Sequence, residues 1–155
     1  MDANALFYFA SQRPVSEILK FVEDNGLIPN TNLYEFPWMG EVERSFSGLN
    51  ELVKFLETQF GQEYPIYFKD SQGEHYFVGI TADGRIIFGL PYSGRAPESL
   101  AAKARTYGGF YGYIGAGMPE IGSIEKFKLD PEYHLPKLLD DGHIAITATP
   151  MILND

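Results

Sequence analysis

The sequence predicts an α+β domain: an antiparallel sheet built on a three-strand meander over residues 64–92, with about three helices packed mainly on one side. Three observations carry this. Residues 75–81 alternate, placing Tyr76, Val78 and Ile80 on one face and His75, Phe77, Gly79 and Thr81 on the other. Large apolar groups on both faces mark a central strand covered on both sides. Two turn signals bracket it, Asp70-Ser71-Gln72-Gly73 and Ala82-Asp83-Gly84-Arg85. Asp83-Gly84 predicts a type I′ hairpin, because that turn needs positive φ at both central residues. Finally, two amphipathic helical patterns precede the sheet and one follows it.

Leu6–Ala10 reads as a short strand or the lead-in to the first helix. Pro14 suits the first helical position, where its missing N–H costs nothing. Val15, Ile18, Leu19 and Val22 then form an apolar stripe, and Asn25-Gly26 is a C-terminal stop. Residues 27–40 are irregular and hold the single tryptophan, in Phe36-Pro37-Trp38. An exposed Trp38 would be an interface anchor, but a lone tryptophan in a small domain is more often core or lid, and that reading is preferred. Residues 41–46 suit a short edge strand. Ser47 is a plausible N-cap for a helix whose buried stripe is Leu49, Leu52, Val53, Leu56 and Phe60, ended by Gly61.

Beyond the meander, Pro97 opens a third helix, in which Leu100, Ala101, Ala104 and Tyr107 face inward. Residues 107–123 alternate glycine with aromatics and predict an irregular strand or a mobile surface loop. His143–Thr149 alternates and predicts a final strand added to the sheet. No repeat or linker divides the chain, so residues 1–155 read as a single domain.

Composition excludes several function classes. A hydrophobic content of 45% with 15% aromatics rules out disorder as the main state. No apolar run reaches the roughly 20 residues of a membrane helix, and no signal-peptide pattern opens the chain. There are no cysteines, hence no disulfides, thiolate metal sites or cysteine nucleophiles, which fits a cytoplasmic protein. A net charge of -9 opposes nucleic-acid phosphates and anionic membranes and favours a basic partner. The charge is uneven: residues 1–63 carry -6, residues 64–119 carry +1 and residues 120–155 carry -4.

Catalytic chemistry finds no motif. His75, His134 and His143 have no ligand spacing, so no metal is expected. No nucleophile elbow, dinucleotide fingerprint or P-loop is present, and neither catalytic residues nor a cofactor are assigned. Two binding surfaces remain. In the acidic C-terminal third, Tyr111, Tyr113 and Tyr133 lie among Glu132, Asp140 and Asp141, an arrangement suited to a basic protein surface. Alternatively, Arg95 and Arg105 with Tyr92 and Tyr107 form a local basic and aromatic cluster that could hold a small anion beside the glycine/aromatic stretch 107–117.

In small size, acidity, absent cysteines and absent catalytic motif, the chain resembles the cytosolic immunity proteins of bacterial toxin systems. The resemblance is one of general character, so no residue is carried over from it. It implies a non-catalytic inhibitor, monomer or homodimer, that neutralises a cognate basic toxin by direct binding. The competing expectations are a small enzyme or anion-binding domain, and a self-assembling structural subunit whose sheet edge pairs with another copy.

Overall fold

Nine strands and two helices are present among the described residues of the computed structural model: 5–10, 15–59, 61–91, 99, 102–103, 105–115, 121–123 and 151–152. The chain order is β1 (Ala5–Ala10), α1 (Val15–Asp24), β2 (Ile28–Pro29), β3 (Tyr34–Phe36), β4 (Arg44–Phe46), α2 (Leu49–Glu57), β5 (Tyr64–Lys69), β6 (His75–Ile80), β7 (Ile86–Pro91), β8 (Gly109–Gly115) and β9 (Met151–Ile152). Seven strands form one sheet in the order β2-β5-β6-β7-β1-β8-β9, and every described pairing is antiparallel. β3 and β4 stand apart as a two-stranded sheet.

The alternation in the sequence becomes the two faces of the sheet. Tyr64, Ile66 and Phe68 on β5, Tyr76, Val78 and Ile80 on β6, and Ile86, Phe88 and Leu90 on β7 share one core with Ile18 and Phe21 of α1 and Leu52, Val53 and Leu56 of α2. Both described helices therefore cover the same face. The apolar stripe of α1 centres on Phe21, which the expected stripe left out. Phe21 packs on Phe88 at 4.7 Å between ring centroids and edge-on to Tyr76 at 6.0 Å. On the opposite face Phe77, Ile87 and Ile121 are buried as well. A Cβ at Gly79 would come within 2.8 Å of the Phe77 ring, so a larger residue there would displace that ring.

The second hairpin loop differs from the expected type. Thr81 N–H donates to Arg85 O, Gly84 N–H donates to Thr81 O, and Gly84 sits at φ 82°. That is a three-residue loop closing on a left-handed glycine, not a two-residue type I′ turn. Arg85 N–H also donates to the buried Thr81 hydroxyl at 2.7 Å, which satisfies the one buried polar side chain of this loop. The first loop repeats the geometry: Asp70 N–H donates to Glu74 O, Gly73 N–H donates to Asp70 O, and the Asp70 carboxylate accepts from Gln72 and Glu74 N–H at 2.9 Å each.

Helix α1 ends where Asn25-Gly26 requires. Leu27 N–H bonds to Val22 O and Gly26 N–H to Glu23 O, with Gly26 at φ 58°. This double bond pattern satisfies two carbonyls that would otherwise be left open. At α2 the N-cap is Gly48, not Ser47, and no side chain caps it. Its C-cap is Thr58, ahead of Gly61. The expected third helix falls largely outside the described residues, although Ser99, Ala102, Lys103 and Arg105 are helical. The strand expected at 143–149 also lies outside them. Within the glycine/aromatic stretch, Gly109–Gly115 form β8, inside the sheet between β1 and β9. It is irregular, with a register shift against β1 at Phe9/Ala10.

Candidate functional site

The β3–β4 arm is built from an alternating sequence. Tyr34 and Phe36 turn inward and are buried, while Glu35 between them is exposed. Phe55 of α2 is the seat on which the arm rests. The Phe36 ring meets Phe55 edge-on at 4.9 Å, the Phe46 ring lies 5.0 Å from it, and the Arg44 guanidinium sits 4.8 Å from its centroid. A further tie runs to the main sheet, where the Tyr64 hydroxyl donates to Glu35 O at 2.8 Å. Burial, with Tyr34 and Glu35 nearby, pushes the Tyr64 phenol up to about 12.

The residues beyond this seat point to water. Trp38 is 38% exposed, Met39 66% and Val42 44%. They occupy the turn of the arm, which follows a cis Phe36–Pro37 bond and passes through Gly40 at φ 100°. Glu35, Glu41 and Glu43 are exposed beside them, and among the described residues none of the three carboxylates has an ion pair or hydrogen bond. Residues 21–53 contain six acids and a single base, Arg44. Arg44 is held against the Phe46 and Phe55 rings, so the only cation in the segment leaves the carboxylates uncompensated. The arm therefore presents an aromatic and aliphatic tip within a negative field. That combination can anchor in an apolar pocket of another protein and select a basic rim around it.

The surfaces expected from the sequence are distributed differently. Tyr111 and Tyr113 lie on β8, paired with Phe9 and Phe7 of β1. Glu132, Tyr133, Asp140 and Asp141 lie outside the described residues, as do Tyr92 and Arg95. Arg105 is exposed, whereas Tyr107 is 4% exposed and faces inward as the helical pattern predicts. Its hydroxyl donates to Asp24 Oδ2 at 2.9 Å and accepts from Asn25 Nδ2 at 3.5 Å. Burial first, and then Asp24, push this phenol up to about 12. Tyr107 thus ties the segment before β8 to the end of α1. His75 is exposed, and no cluster of metal-ligating side chains occurs among the described residues.

At 38% exposure Trp38 is not a core residue, which corrects that part of the core-or-lid expectation. The signal for an arm was present as Tyr34-Glu35-Phe36 alternation, then Gly40, then Glu41-Val42-Glu43. No protein-family model, curated protein or solved structure matches the chain. No helix among the described residues is long and apolar enough to cross a membrane.

Proposed function

We propose that the chain is a non-catalytic binding protein that docks through its β3–β4 arm onto a basic protein. The observation that carries this is the exposed Trp38, Met39 and Val42 set beside Glu35, Glu41 and Glu43, whose carboxylates have no partner among the described residues. Exposed large apolar side chains gathered on one turn are an interaction signal that scattered ones are not. Tryptophan is also among the residue types most enriched at interface hot spots. The net charge of -9 would speed the encounter with a cationic partner. Within this reading the partner is a basic toxin, and the protein neutralises it by covering its working surface.

The self-assembly alternative gains less support. The β2 end of the sheet is two residues long and contains Pro29, and both features blunt edge-to-edge pairing.

The test is capture of binding proteins at low salt by the immobilised chain and by two variants, Trp38→Ala and Glu41→Lys/Glu43→Lys. One basic protein retained by the parent and lost by both variants, with both variants still folding cooperatively, is the expected outcome. A partner retained equally by all three would remove the arm from the interface. Growth protection on co-expression of that partner then tests neutralisation separately.

A further inference from the structure

We propose that the groove at the foot of the arm is a second binding site, which takes an uncharged, extended peptide segment through side-chain carboxamides. This deepens the binding-protein reading and rests on it for the biological occupant, but its chemistry stands on separate residues. The groove has a volume of about 550 Å³ and is lined by Ile28, Asn30, Asn32, Tyr34, Ser47 and Leu49, with Pro29 and Thr31 completing it. No charged residue lines it, so neither an anion nor a cation finds a counter-charge there.

What it offers is neutral hydrogen bonding. The side chains of Asn30, Asn32 and Ser47 have no hydrogen-bond partner among the described residues. Thr31 is different, since its hydroxyl is already engaged with Leu33 O and Leu33 N–H. Each carboxamide presents both a donor and an acceptor, the complement of a peptide group. Ile28, 65% exposed, and the half-buried Leu49 supply apolar contacts for the side chains of such a segment. Tyr34 also lines the groove, and its hydroxyl is buried with no partner, an acceptor and donor left unused.

Two competing ligands fit less well. A saccharide wants an exposed ring to stack on, and the only aromatic lining residue, Tyr34, is buried. Simple strand addition along β2 fails at Pro29, which has no N–H to offer. Carboxamide bonding to the peptide backbone avoids that defect. The groove is also continuous with the arm, because Tyr34 begins β3 and Ser47 follows β4. A partner anchored at Trp38 could therefore lay a neutral segment along the foot of the arm.

The probe is acetyl-valyl-threonyl-valinamide, titrated at millimolar concentration against the full chain while NMR follows the side-chain NH₂ resonances of Asn30 and Asn32 and, in parent and variant alike, the backbone amides of Thr31, Tyr34 and Leu49. Saturable shifts of both resonances are expected. Asn30→Ala/Asn32→Ala should weaken the peptide at least tenfold with an unchanged unfolding midpoint, and Trp38→Ala should leave it unaffected. Absent shifts, or equal binding by the double variant, would overturn the proposal. Shifts produced by maltose and not by the peptide would also overturn it and assign the groove to a saccharide. Because the titration reads the groove alone and partner capture reads the tip, a failure of one is distinguishable from a failure of the other.

Discussion

The β5–β7 face and the β3–β4 arm use the same residue types for opposite ends. On the sheet, Phe68, Phe88 and the Phe21 that packs on Phe88 are fully buried. On the arm, Phe36 and Phe46 pack inward on Phe55, while Trp38, Met39 and Val42 at its turn stay 38%, 66% and 44% exposed. The sheet region is also close to neutral, whereas the arm collects carboxylates that have no partner among the described residues. Aromatic content therefore says little about role. What separates fold from function here is whether an aromatic residue has a layer above it.

The largest expected effect lies on the fold side of that comparison. Phe88→Ala leaves a cavity against Phe21 and Tyr107 and should cost about 3–5 kcal/mol in urea unfolding, enough to lose binding by unfolding the chain. Phe55→Ala stands at the boundary. Phe55 is half-buried, so about 1–2 kcal/mol is expected. Its specific sign would be faster amide exchange in residues 34–46 than in β5–β7. Equal acceleration in both regions would mean that the arm has no separate seat.

Tyr107→Phe removes one hydrogen bond to Asp24 and should cost about 1 kcal/mol near neutral pH. Its phenol is raised from 10 to about 12 in the folded state, so the neutral form is favoured on folding. That stability is present in full below pH 10 and is lost as pH rises towards 12. The variant should therefore show a shallower fall in stability over this interval than the parent. A parallel fall would leave Tyr107 out of the alkaline transition, in which the Tyr64 phenol takes part as well.

The smallest effect on stability is expected at the tip. Trp38→Ala should cost no more than about 1 kcal/mol of unfolding free energy, because more than a third of the side chain is already in water, while costing binding about 2 kcal/mol or more. A large loss of stability would break the comparison by making Trp38 part of the fold.

The meander was legible because alternation and Asp/Gly turns are local signals, and the end of α1 because Asn25-Gly26 supplies the left-handed residue its capping bonds need. The loop type was not, since the bonds between Thr81 and Arg85 that close the second loop join residues whose pairing the sequence does not reveal. Phe21 was missed by counting the α1 stripe from Val15 and stepping past the position that meets Phe88. Trp38 was misread for a different reason: exposure depends on which elements pack over a turn, and that is a tertiary property. The carboxylates of the arm were visible as charge, but their lack of partners became visible only with Arg44 placed on the aromatic rings.

The single tryptophan allows the most direct test. With the captured basic partner in hand, the emission of Trp38 is recorded with and without it, together with acrylamide quenching. Docking through the arm requires a blue shift and strong protection from quenching on saturation, both weakened at high salt. A saturated complex in which Trp38 emission and quenching match those of the free protein would contradict the arm as the docking element.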